Sequence, residues 1–257
     1  MKNYLLRCSV LVTLLASAPV VVGDSVSANS TATTGPAPAA ASTDARYATP
    51  TAVIKTLALA IESGNGKSIC RCVAIQGHAG RAAVAAFANI SSASESFTKT
   101  AVAKLGTPPS GMAHAFGSIK AGMDRLLALL PKAVVTIHGT AAQVTFPASA
   151  TGPGQTIFVR QSSHGWHVDG ARLLHLNQRG ITASAVQRRA AQLNSLTAAL
   201  NQTTSDINSG KIKTWMSLEK DMELHILEAQ AAMESRRQAQ SAPPVMTASP
   251  PPPPPAK

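Results

Sequence analysis

The chain of 257 residues carries 23 Lys and Arg against 12 Asp and Glu, a formal net charge of +11, yet only 14% of its residues are charged and 45% are hydrophobic. That balance excludes a charge-rich disordered protein and supplies apolar side chains for one extended domain or two small ones. Aromatic residues make up 4%, so the core must be built from Ala, Leu, Val and Ile; base-stacking platforms have little material, which disfavours nucleic acid as a partner.

Lys2 and Arg7 precede an uncharged, mostly apolar run from Cys8 to Val22, and small residues follow it. This is the pattern of a secretory signal peptide. A membrane span needs about 20 apolar residues, and this run is shorter and holds Pro19. Residues 1–23 are therefore expected to be a signal peptide, with residue 28 as the alternative end, and the mature protein is expected outside the cytoplasm, periplasmic or secreted. In residues 24–45, 18 of 22 are Ser, Thr, Ala, Pro or Gly, too little apolar area to offset ordering entropy, so this stretch reads as a disordered linker. Residues 241–257 hold six consecutive prolines, Pro250 to Pro255, and read as a disordered, stiff polyproline tail.

The body starts at Arg46. Thr49-Pro50 is an N-cap followed by proline at the first helical position, and Val53, Leu57, Ala60 and Ile61 recur at helical spacing until Ser63-Gly64. A short helix fits Lys67 to Ile75. Another begins near Val84 and Phe87, with Phe97, Ala101 and Leu105 continuing the pattern beyond a Ser-rich break. Met112, Phe116, Ile119, Met123, Leu126 and Leu130 then step by three or four residues, and Pro131 closes that helix.

Here the period changes to two. Val135, Ile137, Val144 and Phe146 alternate with polar or smaller residues around the turn His138-Gly139-Thr140. Ile157, Val159, Trp166 and Val168 do the same around Ser162-Ser163-His164-Gly165. The expected fold class is α+β, with the N-terminal helices packed on a curved four-stranded antiparallel meander. Trp166 is expected to anchor the sheet against the helix from Met112 to Leu130.

The segment Ile61-Glu62-Ser63-Gly64-Asn65-Gly66-Lys67, the turn His138-Gly139-Thr140-Ala141 and the strand Gly165-Trp166-His167-Val168-Asp169 resemble secreted bacterial nuclear-transport-factor-2-like domains, which are cone-shaped and polyketide-cyclase-like. The resemblance covers about residues 46–176. It implies a curved sheet wrapped against helices around a pocket, and little about activity, because such cones serve as isomerases, dehydratases, binding domains and scaffolds.

Residues 182–238 form a separate pattern. Val186, Ala190, Leu193, Leu196 and Leu200 make one apolar stripe, and Ile212, Trp215, Leu218 or Met222, Ile226 and Ala229 another beyond Asn208-Ser209-Gly210. A helical hairpin reversing near Gly210 is expected, with Arg188 and Arg189 brought near Glu228 and Glu234. Were the two helices one, both stripes would await a partner, such as the second copy of a homodimer.

Candidate chemistry is sparse. Cys70 and Cys72 could be buried thiols, a disulfide, or, with His78, a copper or zinc site, though two sulfurs and one imidazole fall short of the usual four-ligand set. Between Gly64 and Asp206 the only carboxylates are Glu95, Asp124 and Asp169; Asp169 is the candidate base of a pocket enzyme, weighed against a turn or ion-pair role. Ser163 beside His164 on a tight turn has no triad geometry. From Arg172 to Lys213 there are six bases and one acid, and Arg172, Arg179, Arg188 and Arg189 suit anionic envelope polymers. No motif requires a cofactor. The sequence reads as an exported, non-enzymatic binding or envelope-associated scaffold protein, with an isomerase or hydrolase using Asp169, or a thiol redox or metal protein using Cys70 and Cys72, as alternatives.

Overall fold

The computed structural model describes residues 44–148, 154–176 and 182–241. The expected signal peptide, nearly all of the expected linker and the proline run lie outside the described residues. Within them the chain is α+β, in the order α1 (Pro50–Glu62), α2 (Gly66–Cys72), β1 (Val73–Ala74), α3 (His78–Leu105), α4 (Ser110–Leu129), β2 (Val134–His138), β3 (Ala141–Phe146), β4 (Gln155–Ser162), β5 (Gly165–Asp169), α5 (Gly170–Leu173), α6 (Ala183–Asn208) and α7 (Trp215–Ser241). No described helix is long and apolar enough to cross a membrane.

Local chemistry sets α1. The Thr49 side chain accepts a hydrogen bond from the Ala52 amide and Pro50 occupies the first turn. Its far end closes with the Gly64 amide donating to the Ile61 carbonyl and the Asn65 amide to the Ala60 carbonyl, with Gly64 at φ +63°. The same pair of bonds recurs at Gly210 and Lys211 after α6, so one helix-stop device is used twice. Helix α3 runs through the serines expected to break it. The Ser91 and Ser92 hydroxyls donate to the Phe87 and Ala88 carbonyls one turn back, which satisfies them inside the helix.

The sheet corrects the four-stranded expectation. Its order is β1-β5-β4-β3-β2, with β2 to β5 antiparallel and β1 parallel to β5 through Val73 opposite Val168 and Ala74 opposite Asp169. Residues 73–74, expected to be helical, therefore leave α2 as a fifth strand. Gly170 must remain small beside them, since a Cβ there would lie 2.7 Å from Val73 Cγ1 and 3.1 Å from the Ala74 carbonyl oxygen.

Alternation gives the sheet two unlike faces. Ala142, Val144, Phe146, Val159, Trp166 and Val168 are buried with Val53, Ile54, Leu57, Ile69 and Phe87 in the main core. Trp166 is buried as expected, but β5 lies against α1 and α2, while α4 packs on α1; the expected partner helix is one layer further out. Ala190 and Leu193 of α6 join this core. A second cluster holds Phe97, Ala101, Met112, Ile207, Ile212, Trp215, Leu218 and Met222, fixed at one point by the Trp215 indole N–H donating to the Leu105 carbonyl at 3.1 Å.

The last two helices run antiparallel, as Ser195 meets Ala229 and Thr203 meets His225. They do not form a free-standing hairpin, because the broadest packing of α6 is against α3. Their register also differs from the expected one. The turn from Ser209 to Thr214 is longer than a reversal at Gly210 requires, and Ser195 consequently meets Ala229, several positions further along α7 than that reversal would place it.

Candidate functional site

The face of the sheet opposite the main core is mostly polar. By register it carries Val134, Thr136 and His138 from β2, Ala141, Gln143 and Thr145 from β3, Thr156, Phe158, Arg160 and Ser162 from β4, and His167 and Asp169 from β5. Gln143, Thr145, Arg160 and Ser162 are exposed. Two guanidinium groups occupy this face. Arg172, on α5, lies over the Phe158 ring with Cζ 3.6 Å from its centroid, a cation–π geometry. The Arg160 Nε–H donates to Asp169 Oδ2 at 2.9 Å while 64% of the Arg160 side chain remains exposed, against 8% for Asp169.

Asp169 is thus a fully engaged carboxylate. Its Oδ1 accepts from the Ala171 and Arg172 amides, capping α5, and its Oδ2 takes Arg160. With both oxygens accepting from Arg160 and two backbone amides, the residue has the geometry of the turn and ion-pair role weighed for it from sequence. What it does is hold Arg160 and the start of α5, hence Arg172, on one patch.

On the same face and directly opposite Arg160 in the register, His167 sits among three elements. Its Nδ1 lies 3.0 Å from the Arg71 carbonyl oxygen at the end of α2, and its Nε2 lies 3.0 Å from Ser162 Oγ. The Tyr47 ring stacks on it, with centroids 6.0 Å apart and planes at 26°. Ser162 Oγ also accepts from the His164 amide at 3.0 Å, and its hydroxyl donates to the Gly165 carbonyl oxygen at 3.2 Å.

The residues weighed from sequence are dispersed. Cys70 is exposed and Cys72 buried, and both thiols are free. Burial pushes the Cys72 thiol up to about 11, despite a hydrogen bond from the Tyr47 side chain that works the other way; burial also raises Cys70. Neither supplies thiolate readily near neutral pH, so the form that thiol redox chemistry uses is scarce there. His78 opens α3 in an exposed position, and no group of three or more His, Cys, Asp or Glu able to hold a metal occurs among the described residues. Arg188 is exposed on α6 and Arg189 half-buried, and Arg179 lies outside the described residues. Sequence reasoning weighed Ser163 with His164 and missed Ser162 with His167. The signal was the two-residue turn, which pairs Ser162 with Gly165 and Arg160 with His167 and so sets Ser162 and His167 as diagonal neighbours on one face.

Another cluster closes the α6–α7 turn. Asp206, buried, accepts from Lys211 Nζ at 2.9 Å and from Gln202 Nε2 at 3.2 Å, with His225 Nε2 3.4 Å away and His225 Nδ1 3.0 Å from Thr203 Oγ1. The Lys211 hydrogen bond, above all, holds its carboxyl below the ordinary value. Thr203 has no exposed surface and its hydroxyl donates to the Ala199 carbonyl, so the hydroxyl of this carboxylate-imidazole-hydroxyl chain is out of a substrate's reach and the cluster works as a structural lock. Comparison of the chain with protein-family models, with curated proteins and with solved structures found no match in any of the three.

Proposed function

We propose that this is an exported binding domain of the envelope, of the cone-like, nuclear-transport-factor-2-like type, whose polar sheet face takes an anionic polysaccharide. The observation that carries the reading is the patch of Phe158, Arg160 and Arg172. Two guanidinium groups are held on one face, one stacked on an aromatic ring and one braced by a buried carboxylate, so little side-chain entropy remains to be lost when each grips a carboxylate. Gln143, Thr145 and Thr156 alongside them offer donors and acceptors for sugar hydroxyls. The net positive charge draws the polymer in, and Arg188 and Arg189 extend that attraction without forming part of the patch.

Titration of the full mature chain with sodium polygalacturonate tests this. Affinity is expected to fall steeply with salt and to drop at least about tenfold in the double variant Arg160→Ala/Arg172→Ala, the loss of about 1.4 kcal/mol, with Arg188→Ala/Arg189→Ala changing it less. Equal losses from the two pairs would reduce the interaction to nonspecific charge. Binding of polyphosphate in preference to the polyuronate would show that the polymer class is wrong.

A further inference from the structure

The arrangement around His167 contains more than a binding face needs. The Arg71 carbonyl can only accept, so His167 Nδ1 carries the proton in that 3.0 Å bond, and Nε2 presents a lone pair 3.0 Å from Ser162 Oγ, competing for the hydroxyl proton with the Gly165 carbonyl oxygen 3.2 Å away. That is a nucleophile, a base and a group that orients the base, joined in sequence. Tyr47 stacked on the imidazole fixes its plane. Ser162 is exposed whereas His167 is half-buried, so a substrate can reach the hydroxyl while the base is shielded. The His164 amide donates to Ser162 Oγ at 3.0 Å, which fixes the hydroxyl oxygen beside the imidazole. Arg160 lies two residues from Ser162 on the same strand and face, a separation of about 7 Å.

We propose that Ser162 and His167, oriented by the Arg71 carbonyl, form an acyl-transfer centre that removes O-acyl esters from the polysaccharide held by Arg160 and Arg172. Ser162 Oγ bonds to the ester carbonyl carbon as its proton passes to His167 Nε2. The bond from that carbon to the sugar oxygen breaks, and the sugar oxygen takes the proton from Nε2, leaving acyl-Ser162. Water then gives a proton to Nε2 and attacks the acyl carbon. The carboxylic acid departs and Ser162 regains its proton, so atoms and charge balance with no other reactant. The imidazolium formed midway is stabilised by the Arg71 carbonyl, in the position a carboxylate holds in a Ser-His-Asp triad. The substrate class rests on the binding reading above; the nucleophile does not.

The test has two arms. In the first, the full mature chain is treated with a fluorophosphonate and the adduct mapped by mass spectrometry. A single adduct on Ser162 is expected, lost in Ser162→Ala and in His167→Gln and kept in Ser163→Ala, with circular dichroism confirming that each variant is folded. No adduct on the wild-type protein, or one on Ser163, overturns the centre and leaves the binding reading standing. In the second arm, acetate release is followed from O-acetylated polygalacturonate and from acetylated xylan, a neutral ester. Faster release from the charged polymer, with the difference abolished by Arg160→Ala/Arg172→Ala, supports the assignment. Equal release from both overturns the substrate class while the Ser162 adduct stands.

Discussion

Replacing Trp166 with Ala tests how the sheet is held to the helices. The ring is 5% exposed and lies in the main core with Val159 and Val168 beside it in the sheet and α1 and α2 above. A buried aromatic side chain removes about 150–250 Å² from water, which at about 25 cal/mol per Å² is about 4–6 kcal/mol. A compact unfolded chain already hides part of that area and trims it to about 3–5 kcal/mol, the range measured for aromatic-to-alanine changes in cores. Urea denaturation read by circular dichroism gives the loss directly. Trp215, the other tryptophan, stays behind as a reporter in the second cluster, beside Leu218 and Met222. Because α3 and α6 contribute side chains to both clusters, Trp215 fluorescence is expected to shift its midpoint together with the circular dichroism. A loss under about 1 kcal/mol, the scale of a surface change, would refute the burial argument. An unmoved Trp215 midpoint would refute the claim that α3 and α6 couple the two clusters.

Gly170→Ala is expected to cost about 1–3 kcal/mol, as an overpacked site does, because the new Cβ meets the Ala74 carbonyl as well as Val73; thermal unfolding measures it, and a neutral result would show that β1 can shift. Asp206→Asn is expected to flatten the acid limb of the stability curve. The folded-state carboxyl of Asp206 is lowered by Lys211, so its contribution is present above the unfolded value of about 3.9 and lost as pH falls through the folded one. Denaturation midpoints between pH 6 and pH 2 check this, and identical acid limbs in variant and parent would dismiss the lock. For the thiols, iodoacetamide at pH 8 is expected to modify Cys72 only after denaturant is added, given a thiol held near 11 by burial; native labelling of Cys72, seen by peptide mass, would mean that the end of α2 opens.

How far the sequence exposes this molecule depends on the distance over which each feature is decided. The Thr49-Pro50 start and Ser63-Gly64 stop of α1, the alternation of β2 to β5 and their turns depend on residues close by, and all can be read directly. Strand β1 depends on Val168 and Asp169, about 95 positions away, and nothing in Val73-Ala74 announces the pairing. The serines of α3 mislead for a different reason. Their propensity is helix-neutral, and burial of Ser91 with a bond to its own helix overrides the break that composition suggests. The site divides in the same way. Ser162 and His167 follow from the hairpin register, which a two-residue turn fixes in advance, whereas the Arg71 carbonyl that sets the imidazole tautomer is a backbone atom supplied by the fold. A side-chain motif search has no means of finding it. Asp169 shows the converse. An isolated carboxylate at a strand end attracts a catalytic reading because its partners, Arg160 and two amides of α5, become visible only when strand register and helix start are assembled together. Chemistry carried by backbone groups is therefore the part of this chain that composition hides most completely. The decisive measurement is accordingly one that reports on the hydroxyl those groups position, not on the residue types nearby.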